Sequence, residues 1–413
     1  MSTITDLKHT NNGSSISQTL DTCRSDFPAL AECDQPGMAY LDNSATTLRP
    51  SVVIDAMRWY LEKGTAAVHR GVHRQSIEAT DRFEETRESL AGWLGADRDE
   101  IIFTSGATAA IHLVRHGLRD LKRVATTSME HHSNLLPWLN LDSCTVVPVD
   151  SHGEIDMETL EKTLSEGVDL LAITHVSNVL GSVTPIKELT RLAHLHGAKI
   201  LVDAAQSIGH LPIDVKELEV DFLVCSSHKM LGPSGVGALF ANREIHSQLM
   251  PVVLGGQMVD QVTISGWTPQ PAPHCYEAGS PPVESVIGWG AAIDYLEKFG
   301  RPAMESHLNK LTNTLVSQLL EVPGVKILGP PKDAPRAPLV SFHLDGMESH
   351  AIAKILNQRE NVLVRSGFHC AQPLHDHLGL KPSVRASLQI YNNQTDIDRL
   401  IRTLQSIAKL CAM

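Results

Sequence analysis

The sequence predicts an α/β fold, in which a large domain with a mainly parallel, seven-stranded sheet precedes a smaller α+β domain. Three observations predict it. Seven short apolar runs stand between amphipathic stretches, at residues 101–104, 123–127, 144–149, 170–174, 199–205, 221–226 and 237–241. The runs are apolar along their length, which is typical of parallel strands covered by helices on both faces. The chain has 413 residues, enough for two domains.

These elements divide the chain into three parts. Residues 1–37 are rich in Ser, Thr, Asn and Asp, and we expect a mobile N-terminal extension or an added helix there. The large domain spans residues 38–290. A Pro- and Gly-rich stretch covers residues 266–282, and a helical pattern from about 285 to 299 then joins the domains. The small domain spans residues 291–413, with short strands expected at 339–344, 362–365 and 384–390.

The composition argues against several classes of protein. The formal net charge is −12, which disfavours a nucleic-acid binder because such a protein needs a basic face. No apolar run reaches the roughly 18 residues of a membrane span, and the polar N-terminus lacks the apolar stretch of a signal peptide. The seven cysteines are scattered and include no Cys-x-x-Cys pair. This pattern favours free thiols in a reducing cytoplasm over disulfides or a zinc site.

Lys229 follows the sixth apolar run and precedes a glycine-rich turn. An unpaired ammonium is costly to bury, so a lysine there is a poor structural choice unless its amine is used in a Schiff base. Asp203 lies at the end of the preceding run. Pyridoxal phosphate (PLP) needs such a pair: a lysine for its aldehyde and an acid opposite its pyridine nitrogen. Both residues lie beyond the carboxyl ends of strands, where such sheets bind ligands.

Three further loops follow strands and carry candidate residues. Residues 104–110 open a helix where backbone N–H groups and Thr108 can bind a phosphate, and an ordinary N-cap is the alternative. His131 can stack on a pyridine ring, and the alternatives are a solvated loop or a metal pair with His132. Because adjacent histidines point apart and no further ligand has zinc-like spacing, we expect no metal. Asn178 is expected to bind the ring hydroxyl or a substrate carboxylate, and a turn asparagine is the alternative.

The small domain contributes a cysteine and an arginine. Cys370 stands in a polar loop between Gly367 and Pro373, where a packing cysteine is not expected. A histidine and an arginine nearby would favour its thiolate, and a free surface thiol is the alternative. Arg385 stands in a short apolar strand, and a buried arginine demands an anionic partner. That partner is either a substrate carboxylate or an internal salt bridge.

Taken together, these residues resemble the group II, SUF-type cysteine desulfurases and selenocysteine lyases of the class V aminotransferase superfamily. Such proteins are fold-type I PLP-dependent transferases. The likeness covers residues 38 to about 411 of this sequence. The stretches that match are residues 41–47, 68–73, 130–134, 203–206, 226–229, 277–280 and 365–370.

The resemblance implies a role for each matching residue. Lys229 would carry PLP and move the Cα proton of the substrate, and Cys370 would attack the substrate sulfur. His131 would stack on the ring, and Asp203 would keep the ring nitrogen protonated. The other implied contacts are Gln206 with the O3′ oxygen of the ring; Thr108, Ser226 and His228 with the phosphate; Ser280 with the phosphate in a neighbouring subunit; Asn178 and Arg385 with the substrate carboxylate; and Arg365 near the cysteine.

Three residues depart from the family pattern. Phe368 stands where a second histidine is common, and Ala107 and Ser280 stand where threonines are common near the phosphate. The departures bear on substrate preference and on the cysteine loop. The N-terminal extension is also longer than the family core needs.

The leading hypothesis is a homodimeric L-cysteine desulfurase that forms alanine and a persulfide on Cys370, and passes the sulfur to an acceptor protein for iron–sulfur cluster assembly. One alternative keeps the fold and is a selenocysteine lyase acting on L-selenocysteine, or a class V epimerase or aminotransferase. A second alternative is a non-catalytic scaffold with the PLP fold. A metal-dependent hydrolase is a more distant alternative.

Overall fold

The computed structural model describes residues 20, 22–31, 37–141 and 143–411. Most of the predicted N-terminal extension therefore lies outside the described residues. Within the described ranges, every helix is too short or too polar to span a membrane.

The described residues form fifteen strands and thirteen α-helices. The strands are β1 Ala39–Tyr40, β2 Ile101–Thr104, β3 Arg123–Thr127, β4 Ser143–Val147, β5 Leu170–Thr174, β6 Lys199–Asp203, β7 Phe222–Ser226, β8 Gly237–Ala241, β9 Val259–Thr263, β10 Gly266–Pro269, β11 Val325–Ile327, β12 Leu339–Leu344, β13 Val362–Leu363, β14 Arg365–Gly367 and β15 Ser383–Ser387. The helices are α1 Pro28–Ala31, α2 Ser51–Trp59, α3 Arg74–Leu94, α4 Ala107–Gly117, α5 Leu136–Leu139, α6 Met157–Ser165, α7 Ile186–Leu195, α8 Val215–Leu218, α9 Val283–Glu297, α10 Arg301–Leu320, α11 Ser349–Glu360, α12 Gln372–His377 and α13 Gln394–Cys411.

The central sheet has seven strands in the order β2-β8-β7-β6-β5-β3-β4. All neighbours pair in parallel except β8, which is antiparallel to both β2 and β7. In β6, Ile200 and Val202 join the core on one face and Leu201 joins the core on the other. The prediction of a mainly parallel sheet buried on both faces is confirmed.

Helix α9 begins two residues before the predicted start and packs against α2 and α3. Two glycines permit this close packing. A Cβ atom on Gly290 would lie 2.4 Å from Thr86 Oγ1, and one on Gly288 would lie 2.8 Å from Met57 Cγ. The predicted domain boundary at residue 290 falls inside this helix, so the helix belongs partly to each predicted domain; the division itself stays a prediction.

The small sheet is antiparallel, in the order β11-β12-β15-β14. The strand predicted at 362–365 is divided in two: β13 pairs in parallel with β1, whereas β14 pairs with β15. In the register of this last pair, Arg365 stands directly opposite Arg385. The small sheet thus places two candidate arginines side by side.

Part of the predicted N-terminal extension is anchored in the core. Phe27 is fully buried between the rings of Tyr295 and Tyr391, whose centroids lie 6.0 and 4.4 Å away. Arg24 forms an ion pair of 2.9 Å with Asp396 near the C-terminus. The described residues 22–31 therefore connect the start of the chain to its last helix.

A hairpin that the sequence analysis did not predict is formed by β9 and β10. Nearly all of its residues are exposed, including the large apolar side chains of Val262, Ile264 and Trp267. Exposed apolar side chains grouped on one element are a feature of interaction surfaces.

Candidate active site

A cavity of about 350 Å³ lies beyond the carboxyl ends of β5, β6 and β7, beside the N-terminus of α4. Eleven of the twelve residues predicted from the sequence line it; they are Thr108, His131, Asn178, Asp203, Gln206, Ser226, His228, Lys229, Arg365, Cys370 and Arg385. Residues from both the large sheet and the small sheet therefore line the cavity.

Ser280 is the predicted residue that does not line this cavity. It is exposed and lines a separate depression together with Phe103, Ser105 and His112. Because the resemblance assigns Ser280 to the site of a neighbouring subunit, its role stays a prediction.

Lys229 ends the short 3-10 helix Ser227–Lys229 that follows β7. Burial lowers the pKa of its amine to about 8, although Asp203 opposes part of this effect. Arg385 lowers the pKa further, because it places a second positive charge near the same cavity. A lysine with such a pKa has a substantial neutral fraction near neutral pH, as a nucleophile and proton carrier requires.

Asp203 ends β6 and is 5% exposed. Among the described residues its carboxylate accepts one hydrogen bond, from the Ala205 N–H at 2.9 Å. Burial raises the pKa of Asp203, and the Lys229 amine opposes the shift. A buried carboxylate with so few partners is costly unless a positive group faces it, so the site is suited to a protonated ring nitrogen.

His131 is held in place by its neighbours along the chain. Its Nδ1 accepts from the Ser133 N–H at 3.1 Å, which leaves Nε2 to carry the proton of the neutral ring. Burial, followed by the charge of Lys229, lowers the pKa of His131 to about 4. The ring is therefore neutral near pH 7, which suits stacking on an aromatic cofactor.

Glu130 fixes the loop that carries His131. It is fully buried and accepts hydrogen bonds from Thr127 Oγ1 and Asn134 Nδ2, both at 2.6 Å, and from the Thr174 N–H at 3.0 Å. Burial raises the pKa of Glu130 to about 8. These bonds connect the loop after β3 to the end of β5, so they set the position of His131 relative to the sheet.

The N-terminus of α4 forms a polar depression of about 320 Å³ that shares Thr108, Ser226 and His228 with the main cavity. The Ala107 N–H donates to Ser226 Oγ at 2.9 Å, and Thr108 Oγ1 lies 2.8 Å from Ser133 Oγ. The first N–H groups of a helix lack partners within it and favour anions. Ser133 thus supplies a hydroxyl near the point where Ala107 lacks one.

Two amide side chains of the cavity also bind the protein itself. Gln206 Nε2 donates to the Ser44 carbonyl at 2.9 Å, and Asn178 Nδ2 donates to the His369 carbonyl at 2.6 Å. Asn178 therefore touches the loop that carries the cysteine. The contacts of Gln206 with O3′ and of Asn178 with a carboxylate stay predictions.

The two arginines share one carboxylate. Asp42 lies 2.8 Å from Arg365 Nη2 and 3.7 Å from Arg385 Nη2. Arg385 also donates from Nη1 to the Asn178 carbonyl at 2.9 Å, while its buried Nε has no partner within the described part of the chain. Two arginines with one acid leave an excess positive charge beside the cavity, which favours an anionic ligand.

Cys370 is exposed at the cavity, in a loop with unusual backbone geometry. His369 and Cys370 have φ values of 53° and 57°, in the left-handed region that non-glycine residues rarely adopt. The His132 N–H donates to the Cys370 carbonyl at 2.8 Å. The polar loop that carries Cys370 is therefore held by hydrogen bonds from residues outside it.

Sequence reasoning missed several residues that line the cavity or hold it. Ser44, Ser133 and His369 line it, and Asp42 and Glu130 position those that do. All five lie inside the stretches that carry the family resemblance, but only a structure shows which side chains of a stretch point inward.

One cluster among the described residues has the composition of a metal site. Side-chain atoms of His69, Glu84 and His274 lie within 4.8 Å of one another, outside the main cavity. The Glu84 carboxylate already pairs with Arg87 at 2.9 Å, Arg98 at 2.7 Å and His69 at 2.8 Å. Two guanidinium groups disfavour a further cation, so ion pairs within the protein account for the cluster.

The residues of the main cavity fit PLP. Its volume lies within the range of small-molecule sites, roughly 300–1,000 Å³. It combines an amine of lowered pKa, a buried acid short of partners, a neutral imidazole, and helix N–H groups with hydroxyls for a phosphate. These are the contacts that a pyridine ring carrying an aldehyde and a phosphate requires.

Comparisons with known proteins agree with this fit. The family model described as "Aminotransferase class-V" matches residues 39–400. A relative from Mycobacterium leprae, named "Probable cysteine desulfurase 2", is 40% identical over 399 residues, 92% of this chain and 95% of the relative.

Two further proteins extend the likeness. The "Cysteine desulfurase" of Haloferax volcanii is 37% identical, over 95% of this chain and 98% of its own length. The apo structure of a cysteine desulfurase from Thermococcus onnurineus is 36% identical, with a TM-score of 0.90, and covers 95% of this chain and 98% of that one. The fold, the family match and these relatives place the chain in the class V aminotransferase family.

Proposed function

We propose that this enzyme is an L-cysteine desulfurase that converts L-cysteine to L-alanine and takes up the sulfur as a persulfide on Cys370. The observation that carries the proposal is that Lys229, Asp203, Arg385 and Cys370 line one cavity. A cysteine facing the same cavity as a lysine and an acid suited to PLP is what sulfur removal from an amino acid needs.

The family uses PLP, and Lys229, Asp203, His131 and the α4 N-terminus would hold it. When bound, PLP supplies an electron-withdrawing ring conjugated to the amine of the substrate, which eases loss of the Cα proton. Lys229 accepts that proton, since its lowered pKa leaves part of the amine neutral. Arg385 binds the substrate carboxylate and orients the Cα–H bond toward the lysine.

Cys370 takes the sulfur. Its Sγ attacks the sulfur of the substrate, so that an S–S bond forms while the Cβ–S bond breaks. The electron pair of that bond stays on Cβ, which takes up the proton lost by the Cys370 thiol to become the methyl group of alanine, and Lys229 returns its proton to Cα. One cysteine and one thiol thus yield alanine and one persulfide, with no external oxidant or reductant.

Incubation with L-cysteine and a thiol reductant tests the proposal, with alanine and sulfide as the products measured. Wild type and Cys144→Ala, a matched control at a half-buried cysteine of β4, are expected to form both. Cys370→Ala is expected to form neither. Alanine without sulfide in wild type would indicate another PLP reaction, and L-selenocysteine cleavage retained in Cys370→Ala would favour a selenocysteine lyase.

We further infer the SUF type, with a protein acceptor in iron–sulfur cluster assembly and a cytoplasmic location. Support comes from the family resemblance and from the exposure of Cys370, which lets a partner reach a persulfide. Incubation of the enzyme with ³⁵S-cysteine and a purified candidate acceptor protein would test the transfer. An acceptor that gains no ³⁵S label argues against sulfur transfer to that protein.

We also infer a homodimer. The exposed apolar side chains of the β9–β10 hairpin support it, as does the position of Ser280 outside the cavity of its own chain. Sedimentation at low micromolar concentration is expected to give twice the mass of one chain, and a monomer would contradict the inference.

A further inference from the structure

His132 lies beside the Cys370 loop and makes two hydrogen bonds to it. Its backbone N–H donates to the Cys370 carbonyl at 2.8 Å. Its ring Nε2 accepts from the Gln372 N–H at 3.3 Å. His132 therefore holds the loop at Cys370 and again at Gln372, two residues later. It is not among the residues that line the cavity.

The loop needs such support because its backbone is unfavourable by itself. His369 and Cys370 are consecutive non-glycine residues in the left-handed region, where the Cβ atom comes too close to the following carbonyl. Conformations of this kind persist when surrounding contacts enforce them. Here those contacts come from Asn178, which binds the His369 carbonyl, from Ser383, whose Oγ lies 2.9 Å from His369 Nε2, and from His132.

The contact between His132 and Gln372 lies at the end of the loop, where Nε2 of the ring accepts the Gln372 N–H. The ring is half-buried, and Gln372 is exposed, so the bond lies at the protein surface. A partner or a local opening can therefore break it without disturbing the core.

We propose that His132 is a positioning residue that latches the Cys370 loop over the cavity while sulfur is taken from the substrate, and that release of this latch makes the persulfide available for transfer. The inference rests on the proposed function. His132 acts through the loop, since it bonds Cys370 and Gln372 but does not itself line the cavity.

Four variants separate the latch from general effects. His132→Ala removes the ring acceptor, and His132→Gln restores an acceptor oxygen at a similar distance from the backbone. Gln372→Pro removes the donor at the first position of α12, where proline is tolerated in helices. Gln372→Ala keeps the N–H and is the matched control.

Hydrogen exchange of the PLP-loaded protein measures the latch directly. Peptides covering residues 366–373 are expected to exchange about fivefold faster in His132→Ala and Gln372→Pro than in wild type. This factor corresponds to the net stabilisation from one neutral hydrogen bond. His132→Gln and Gln372→Ala are expected to exchange like wild type. Unchanged exchange in both His132→Ala and Gln372→Pro would overturn the proposal.

Separate half-reactions measure what the latch does. In His132→Ala, alanine formation in a single turnover with L-cysteine is expected to slow about fivefold, whereas reduction of the persulfide by dithiothreitol is expected to become faster. If both steps slow together, His132 is merely structural and the proposal fails. If wild type forms no alanine, the proposed function fails, but the exchange measurement still decides whether the latch exists.

Discussion

Replacing Arg385 with glutamine tests how the cavity recognises a carboxylate. Arg385 is 3% exposed, and its guanidinium group donates one hydrogen bond to the Asn178 carbonyl at 2.9 Å. Its distance to Asp42 is 3.7 Å, and its Nε has no partner in the described part of the chain. The guanidinium group of Arg385 therefore has N–H donors available for an anionic ligand.

The size of the effect follows from burial. Truncating one partner of a buried, hydrogen-bonded charge pair costs about 2–5 kcal/mol. A loss of about 3 kcal/mol corresponds to a decrease of roughly 100-fold in kcat/KM. Burial lowers the pKa of Arg385 to about 10, so the side chain is still charged at neutral pH and the loss applies there in full.

The assay compares L-cysteine with cysteamine, which lacks the carboxylate. Wild type is expected to prefer L-cysteine strongly, and Arg385→Gln is expected to lose most of that preference. Arg385→Lys keeps the positive charge but lacks the planar guanidinium geometry. Its preference for L-cysteine is expected to lie between those of wild type and Arg385→Gln. Arg336→Gln is the control, because this half-buried arginine donates to backbone carbonyls outside the cavity. An unchanged preference in Arg385→Gln would refute the assignment.

Two further outcomes are expected. Arg87→Met should lower the free energy of unfolding in urea by about 3–5 kcal/mol, because Arg87 is fully buried and its loss leaves the carboxylates of Glu84 and Glu277 short of a partner; a loss under about 1 kcal/mol would contradict this. The rate at which PLP-free protein takes up PLP should rise with pH and level off above about 8, because burial lowers the pKa of Lys229 to about 8 and only the neutral amine is nucleophilic. A rate still rising at roughly pH 10 would show an unperturbed amine.

The sequence predicts the large sheet well because buried strands are apolar along their length. The run at 199–205 becomes the strand Lys199–Asp203, and in the small sheet the strand at 339–344 is found with the predicted bounds. Continuous apolar runs indicate a mainly parallel sheet but do not show which strand is antiparallel or how the strands are ordered, so the antiparallel β8 and the order of the seven strands come from the structure alone. The hairpin was missed because exposed strands lack the buried pattern on which the prediction depends.

Some residues of the candidate site could be predicted from the sequence, and others could not. Lys229 and Asp203 could be predicted because a charged residue at the end of an apolar run needs an explanation. Glu130 and His132 could not be told from ordinary loop residues, since their importance lies in bonds to Thr174 and Gln372, which are distant in sequence. Motifs thus identify the side chains that touch ligands more readily than the side chains that position them.

The pairing of β1 with β13 has a consequence for how the polypeptide matures. Residues at the beginning of the chain find their strand partner more than 300 positions later, as Ala39 does opposite Val362. On the ribosome, the early segment must wait, unpaired, until nearly the whole protein has been synthesised. A truncated product that stops before Val362 would leave this segment without its strand partner. The early segment can therefore reach its final position only after the part of the chain next to the Cys370 loop has been made.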